Sequence, residues 1–386
     1  MNKLQELIQT LCPGGIEYKE LQEICRYSKN RINVSEVDNT TYVGVENLLQ
    51  NKQGKTLASS VPTTGNVIRF DIGDILIGNI RPYLKKIWLS DCVGGTNGDV
   101  LVVQINDRKI IIPEFLYYVL SSDAFFTYDM LYSKGTKIPR GNKVAVMQYR
   151  IPIPPLEVQK EIVHLLDEFT AKTTELQAEL NKEYEARKKQ YNYYRSQLLD
   201  GDSETPKMKL KNVLTIQRGK RVVKTELSKD GDYPVYQNAL APMGYYHLKN
   251  RNKDNTYLIS AGAAGSIGYS TNDFWAADDC FTFECSEVLD NKFLYYSLLN
   301  KQSAINLKIR DASIPRLSRD SLEKLVISIP SLNNQKKIVE ILEKFDYACS
   351  TLQSNISIEL ESRQKQYEYY RDKLLTFKEL NESEVN

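Results

Sequence analysis

Two long stretches of the chain, residues 154–199 and 330–375, carry apolar or small residues at alternating steps of three and four. That spacing keeps side chains on one face of an α-helix and, sustained over several heptads, is typical of a coiled coil. Neither stretch contains glycine or, after its first turn, proline, so nothing in the sequence interrupts either helix. We predict two helices of about 45 residues, each roughly 65 Å long at 1.5 Å per residue. The predicted seam of the first is Ile162, Leu166, Phe169, Thr173, Leu176, Leu180, Tyr184, Arg187, Tyr191, Tyr194 and Leu198; that of the second is Ile338, Leu342, Phe345, Cys349, Leu352, Ile356, Leu360, Arg363, Tyr367, Tyr370 and Leu374.

The two stretches are copies of each other. They align without a gap at an offset of 176 residues, and 21 of the 46 aligned positions carry the same residue. Their polar and charged faces would leave each helix unstable alone, so each must pack against a partner, most simply the other copy. The alternative is two unrelated amphipathic surface helices. In that case the tail rich in tyrosine, arginine and glutamine would have to be repeated by chance.

The chain before each predicted helix has the short apolar runs and the Gly, Pro, Asn and Asp turns that are typical of strands and loops. Strands are predicted at 42–45, 67–70, 75–77, 100–103 and 256–260, a loop at 93–99, and a helix with proline in its first turn at 113–120. The second half repeats this plan, since 293–298 matches 115–120, and 314–316 matches 138–140. We predict an α+β chain of two α/β globules and two coil helices, with an internal pseudo-two-fold repeat. The predicted boundaries are 1–150 and 201–326 for the globules, 151–200 and 327–376 for the coils, and 377–386 for a polar tail.

Basic residues are concentrated in two segments although the net charge is only +2. Residues 131–150 contain five basic residues and residues 205–224 contain seven, and neither segment contains an acid. Local clusters of this kind are suited to phosphate contacts. Solvated charged loops are the alternative for either segment taken alone.

Sequence signatures of catalysis are missing. The chain has no P-loop, no Asn-Pro-Pro-Tyr or Asp-Pro-Pro-Tyr motif, two histidines, and six scattered cysteines without a CxxC pair. No apolar run is long enough to span a membrane, and the N-terminus does not have the pattern of a signal peptide. We predict a cytoplasmic binding protein with reduced thiols, no catalytic residues, no metal site and no cofactor of its own.

The residues that open the two coils and the chain itself resemble one known family. Both coils open on I-P-x-x-x-x-Q-K-x-I-V, at 153–163 and 329–339, and residues 12–21 read CPGGIEYKEL. With the order globule, helix, globule, helix, these motifs resemble the specificity subunit of type I restriction-modification systems over essentially the whole chain. The loops at 134–140 and 310–316 resemble the DNA-side loops that precede each coil in that family. The second loop departs from the Lys-Gly-Thr form at Asp311-Ala312.

The resemblance implies that each globule is a target-recognition domain for one half of a bipartite site in double-stranded DNA. It implies that the coils pack antiparallel, set the spacing between the half-sites, and dock two modification (methyltransferase) subunits that use S-adenosylmethionine on adenine N6. Restriction subunits, the translocase and nuclease, would use ATP and Mg. Since the two globules differ in sequence, the site should be asymmetric, with unrecognised base pairs between the halves.

Candidate DNA contacts are basic or polar residues of the loops and basic segments, where Asn and Gln could recognise adenine in a groove. They are Lys134, Thr136, Lys137, Arg140, Arg81, Lys85, Lys86, Lys220, Arg221, Gln237, Asn238, Arg310, Ser313 and Arg316. Candidate partner-docking residues are repeated in both coils: Gln159, Lys160, Arg187 and Tyr194, with Gln335, Lys336, Arg363 and Tyr370. The tyrosine-rich coil ends could instead pack the two coils together.

Two other functions are compatible with parts of this sequence. One is a coiled-coil adaptor whose globules bind protein, which sequence-selective DNA binding would exclude. The other is an enzyme with an unfamiliar site, such as a DNA-cleaving protein, which turnover by the isolated chain supplied with metal would support.

Overall fold

The structure is a computed structural model that describes residues 3–228, 230–310 and 313–380. The chain divides into two compact units, one formed by Met1–Ala178 with Ile358–Asn386 and the other by Glu179–Ser357. The first long helix, Leu156–Asp200, and the second, Leu332–Leu375, each contribute one half to either unit. Of the predicted features, Asp311-Ala312 and residues 381–386 of the polar tail lie outside the described residues.

The first unit is built on short helices and strands. The helices are α1 (Lys3–Leu11), α2 (Leu21–Ile24), α3 (Pro113–Leu120), α4 (Asp123–Leu131) and α5 (Lys143–Met147). The strands are β1 (Tyr18–Glu20), β2 (Cys25–Tyr27), β3 (Arg31–Asn33), β4 (Asn66–Phe70), β5 (Ile75–Gly78), β6 (Ile87–Leu89), β7 (Gly94–Thr96), β8 (Val100–Ile105) and β9 (Arg150–Pro152).

Three antiparallel sheets organise the first unit, with strand orders β2-β8-β5-β6, β3-β4-β7 and β1-β9. Strands β5 and β8 are central and almost wholly buried, which explains their unbroken apolar sequences. The core between the sheet and α3 and α4 includes Leu116 and Phe125, and Ile162 and Leu166 of the first long helix close it. Burial of these two residues fixes the start of the long helix on the globule.

The second unit repeats the plan. Its strands are β10 (Lys207–Lys209), β11 (Leu214–Arg218), β12 (Tyr233–Tyr236), β13 (Gly244–Tyr246), β14 (Asn255–Ile259), β15 (Ile267–Ser270), β16 (Trp275–Ala276), β17 (Cys280–Cys285) and β18 (Val326–Ser328). Its short helices are α6 (Asn291–Asn300), α7 (Gln302–Asn306) and α8 (Arg319–Glu323). The sheet orders are β11-β17-β14-β15, β13-β12-β16 and β10-β18, so each unit has sheets of four, three and two strands.

Halves of the two long helices pack together within each unit. In the first unit Phe169 meets Tyr367 and Tyr370, with ring centroids 6.4 and 6.0 Å apart. In the second unit Phe345 meets Tyr191 and Tyr194, at 6.0 and 6.3 Å. Early residues of one helix thus contact late residues of the other, which is antiparallel packing. The predicted packing role of the tyrosine-rich coil ends is confirmed.

Some local predictions are wrong. Residues 42–45 do not form a strand, because only Tyr42 makes a bridge, to Gly95, and the segment then turns. The predicted loop 93–99 contains β7, which pairs with β4. Glycine content concealed this strand, since Gly94 and Gly95 lie against the carbonyl of Thr41 and the side chain of Val67, where no larger residue fits.

The predicted coil seam is wrong at Arg187 and Arg363. Both guanidinium groups are exposed and pair one turn back in their own helix, with Glu183 and Glu359, at 2.8 Å in each case. An arginine in a buried seam would have to lose its hydration, and a solvent-facing pair with a neighbouring glutamate avoids that cost. No helix in the described part of the chain is apolar enough over a sufficient length to cross a membrane.

Candidate nucleic-acid interface

A closed surface loop, residues 134–140, precedes the first long helix and is here named the first recognition loop. Its two ends pair, since the backbone N–H of Lys134 donates to the carbonyl of Arg140 at 2.8 Å and that of Arg140 donates back at 2.9 Å. Gly135 has a φ of 96°, which a side chain would strain. Lys134, Thr136, Lys137 and Arg140 are all exposed, so the predicted DNA contacts of this loop face solvent together.

The second recognition loop, residues 310–316, is closed in the same way. The N–H of Arg310 donates to the carbonyl of Arg316 at 2.8 Å, and the return bond is 3.3 Å. Arg310, Ser313 and Arg316 are exposed. The same pairing of loop ends is therefore built twice from different sequences.

Each recognition loop is anchored on the backbone that follows a central strand. In the first unit the N–H of Arg81 donates to the carbonyl of Pro139 at 2.8 Å, and that of Gly141 donates to Asn79 at 2.9 Å. This places Arg81 beside Arg140, although the two residues are 59 positions apart in the sequence. Arg140 keeps 61% of its side chain exposed and lies 3.4 Å from a carboxylate oxygen of Asp99.

The second loop is anchored at the equivalent place after β14. The N–H of Gly262 donates to the carbonyl of Pro315 at 3.3 Å, and the N–H of Leu317 donates to Ser260 at 2.8 Å. Asn238 lies against the same turn, because its carbonyl accepts from Ala263 at 2.9 Å, and its side chain is exposed. The structure thus gathers Asn238 with the second recognition loop, as it gathers Arg81 with the first.

Lys85 and Lys86, predicted as DNA contacts, are half-buried and bonded within the first unit, and a DNA contact by either lysine stays a prediction. The Lys85 ammonium donates to Asp123 at 2.8 Å, as does that of Lys52, and Lys86 donates to the carbonyl of Val45 at 2.6 Å. Although burial alone would raise it, hydrogen bonds from both lysines hold the pKa of Asp123 at about 2. These lysines therefore fasten the turn that presents Arg81.

The contact of Asp123 with Lys52 and Lys85 was not predicted from the sequence, because it joins segments that are far apart in the chain and share no sequence pattern. The N–H groups of Asn51 and Lys52 donate to the carbonyls of Leu84 and Lys85, at 2.9 Å each. Asn51, Lys52, Arg81 and Lys85 all have positive φ, between 49° and 64°. Four left-handed residues in two facing turns indicate that the surrounding contacts hold the backbone there.

The remaining polar candidates of the second unit lie beside the loop anchor. Lys220 and Arg221 are exposed next to β16, where the Lys220 N–H donates to Ala276 and its carbonyl accepts from the Trp275 indole, at 2.9 Å each. Gln237 is half-buried, and its amide donates to Asp278 at 3.3 Å. Gln237 is therefore already engaged, while Lys220 and Arg221 keep free access to solvent.

Asp129 and Asn79 lie buried beneath the first recognition loop. A Cβ atom on Gly141 would lie 2.7 Å from Oδ1 of Asp129 and 2.8 Å from Oδ1 of Asn79, so a larger residue there would have to displace both side chains. Burial raises the pKa of Asp129 to about 6. The residue of the second unit that corresponds to Gly141, 176 positions later, is Leu317, and it is buried.

Gln159 and Gln335 were predicted to dock partner subunits, and the burial of both side chains contradicts that prediction. Both side chains are fully buried. The Gln159 amide donates to the carbonyls of Ile110 and Pro154 at 2.8 and 2.7 Å, and its oxygen accepts from Ile112 at 3.0 Å. Gln335 makes the same three bonds, to Val288, Pro330 and Asp290. The glutamines are repeated because each ties the start of a long helix to the loop before α3 or α6.

The other predicted docking residues lie at the surface of the long helices. Lys160, Lys336, Arg187 and Arg363 are exposed, and Tyr194 and Tyr370 keep 44% and 41% of their surfaces exposed beside the coil contacts. They stay predictions for partner contact. The local bonds of Arg187 and Arg363 are matched, each reaching a glutamine three residues on.

The described residues include no group of three or more His, Cys, Asp or Glu side chains that could hold a metal ion. Burial raises the pKa of the Cys25 and Cys280 thiols to about 12, which opposes a role as nucleophile. What the two recognition loops offer is hydrogen-bond donors and positive charge at the surface, which is the chemistry of DNA binding.

The chain belongs to the family of type I restriction-modification DNA specificity domains. The model of that family matches twice, over residues 13–186 and 202–362, so each match takes in one globule and much of the long helix that follows it. The fold and the function predicted from the sequence, a DNA-recognising specificity subunit, are thereby confirmed.

Proteins similar to this chain include two specificity subunits known from sequence and two solved structures. A Haemophilus influenzae protein named as a type I restriction enzyme specificity subunit is 30% identical over 98% of this chain and all of its own length. The Escherichia coli EcoR124I/EcoR124II specificity subunit is 30% identical over 60% of this chain and 64% of its own. A chain solved in work on assembly of the type I system matches with a TM-score of 0.77 at 19% identity, covering 94% of this chain and 98% of that one. The Thermoanaerobacter tengcongensis HsdS subunit matches with a TM-score of 0.59 at 19% identity, covering 95% and 97%.

Proposed function

We propose that each globule recognises one half of an asymmetric, bipartite DNA site and that the paired long helices fix the unrecognised gap between the halves. One observation supports this most. In both units the first and last residues of the loop pair and the loop is anchored behind a central strand, while the loop residues differ from Lys-Gly-Thr-Lys in the first to Arg310 and Ser313 in the second. A shared frame with different side chains is what two different half-sites need.

The chain itself is the non-catalytic member of the complex. Two modification subunits dock on the long helices and bring S-adenosylmethionine, and restriction subunits bring the ATP- and Mg-dependent translocase and nuclease. Candidates for the docking surface are the exposed coil residues Lys160, Lys336, Tyr194 and Tyr370. The complex acts in the cytoplasm, where its DNA is.

Adenine-methylation mapping of whole genomes tests this function. Cells that express the chain with its modification subunit are compared with cells that express the modification subunit alone. A two-part motif with a fixed gap, present only with this chain, is the expected result. No new motif from a complex shown by mass photometry to have assembled would contradict the proposal, and protein binding by the globules would then favour the adaptor function.

A further inference from the structure

The two most exposed large apolar side chains in the described part of the chain occupy the same position of the internal repeat. Leu131 keeps 75% of its surface exposed and Leu307 keeps 88%, and the two are 176 residues apart, the offset of the coils. Each is the second residue of a tight turn. In the first unit the N–H of Ser133 donates to the carbonyl of Met130, and in the second unit the N–H of Ile309 donates to the carbonyl of Asn306. Each lies three residues before the paired first residue of its recognition loop.

A second apolar residue stands at the tip of each loop. Ile138 is 49% exposed and Ile314 is 52% exposed, again 176 residues apart. Single exposed apolar residues are common on protein surfaces and mean little. Two pairs are matched in position and exposure although four of the seven residues of the recognition loops differ between the units, so this explanation does not cover them.

The surroundings indicate what covers these leucines. From Leu131 to Arg150 the chain has five basic residues and no acid, and Arg81 is anchored beside the same loop. In the second unit Lys308, Arg310 and Arg316 follow Leu307 in the sequence, with Asp311 as the single acid among residues 307–316. Such a setting complements the phosphate backbone, so the occupant is DNA.

We propose that Leu131 and Leu307 are apolar wedges, one for each half-site, that press between neighbouring bases and locally unstack them. The inference rests on the proposed function. Leucine has no hydrogen-bond donor or acceptor with which to discriminate base edges, and it is kept at both positions. The feature that it contacts must therefore be common to both halves, and stacked bases are such a feature. Apolar side chains inserted between base steps are a known means of deforming DNA.

Local unstacking would serve the reaction for which the complex is proposed. An enzyme that modifies a base must first take that base out of the stack, which costs unstacking energy. A leucine held at each half-site by the specificity subunit would lower this cost at both target adenines without altering which sequence is recognised.

The test uses the full chain assembled with its modification subunits and duplexes carrying the motif returned by methylation mapping. Leu131→Gln and Leu307→Gln keep the side-chain size and remove its apolar character, whereas Leu131→Met and Leu307→Met keep it apolar. We expect each Gln variant to lose about 5- to 30-fold in affinity, the loss that follows from exposing one apolar side chain. The Met variants should bind nearly as the wild type does. Ile72→Gln, at an exposed position in the turn at the other end of β5 from the loop anchor, is the matched control and should change nothing.

Two further readouts separate a wedge from other contacts. The slope of affinity against salt should stay unchanged in the Gln variants, because no phosphate contact is lost. 2-Aminopurine placed at successive positions of a half-site should brighten on binding of the wild type, and in each Gln variant that signal should vanish from one half-site only.

Three results would overturn the inference. If the Gln variants bind and unstack as the wild type does, the leucines do not act on DNA. If they change base preference at one position, the leucine contacts a specific base, such as a thymine methyl group, and the shared role is wrong. If the wild-type complex binds no duplex in preference to random sequence, the proposed function fails, and this inference fails with it.

Discussion

Individual residues of the recognition loops carry the predicted specificity. Arg140 and Arg316 end their loops at equivalent positions, are exposed, and are held by paired backbone bonds. A guanidinium on a fixed backbone can donate two hydrogen bonds to guanine in the major groove, whereas a flexible lysine acts mainly as a point charge. Specific base recognition should therefore depend on these two arginines.

We expect Arg140→Ala and Arg316→Ala each to weaken binding to the cognate duplex by about 1–3 kcal/mol and to leave binding to unrelated DNA almost unchanged. Fluorescence anisotropy on both duplexes at several salt concentrations measures this. Arg108→Ala, which removes an exposed arginine at the other end of β5 from the loop anchor, is the control. Equal loss on every sequence, with a salt slope lower by about one unit, would instead make the arginine a phosphate contact.

Asp129 gives a pH-dependent prediction for the first unit. Its pKa is about 6 in the fold and 3.8 as its ordinary value, because burial disfavours the charged carboxylate. The neutral form therefore stabilises the fold below pH 4, and this contribution is lost as pH rises through 6. Asp129→Asn should raise stability above pH 7 by about 1–3 kcal/mol and should have no such effect near pH 4.

Thermal unfolding of the full chain at pH 4 and at pH 7.5 measures this difference. Asp123→Asn is an opposite-signed control, since its two lysines hold the pKa of that carboxylate low, so the substitution should lower stability at pH 7.5. If Asp129→Asn changed the stability equally at both pH values, burial would not raise the pKa of the Asp129 carboxyl group, and the prediction would be wrong.

At the scale of elements, the start of each long helix is tied to its globule by one buried glutamine. Gln159→Ala and Gln335→Ala each remove three hydrogen bonds from a dry site and should cost about 2–4 kcal/mol of stability in their own unit. Calorimetry of the full chain detects this as a lower unfolding temperature. Lys160 follows Gln159 on the exposed face of the helix, and the control Lys160→Ala should leave stability unchanged.

A docking role for these glutamines would give the opposite pattern. The variant chains would then keep their unfolding temperature and lose the modification subunits, as seen by mass photometry. The buried geometry predicts that a variant which still folds also still assembles.

Periodicity predicted the elements that obey a simple repeat. The long helices, β5, β8 and α3 all have a local sequence pattern, and the structure has them within a few residues of the predicted bounds. The sequence did not predict strand β7, because its two glycines lack the side chains typical of strands. They are required there because neighbouring atoms lie too close to the backbone for a side chain to fit. The recognition loops were found from their charge and their repetition. Their anchors at Asn79 and Ser260, and the Asp123 contact with Lys52 and Lys85, are long-range pairings that no local pattern contains.

At the scale of the whole molecule, the chain contains one plan twice. Each unit has sheets of four, three and two strands, one recognition loop, a fully buried glutamine at the start of a long helix, and halves of both long helices. After the second long helix the backbone returns to the first globule, where Leu380 donates to the carbonyl of Ile16 at 3.0 Å. A duplicated frame with divergent loops lets one polypeptide present two different recognition surfaces.

The central claim is that the two globules recognise the two half-sites independently. Its most direct test is to replace residues 1–150 with the corresponding globule of another specificity subunit, keep both long helices, and map adenine methylation in cells that carry the modification subunit. We predict that one half of the motif changes, while the other half and the gap between them stay as in the wild type. A change in both halves from an assembled complex, or an unchanged motif, would contradict independent recognition by the two globules.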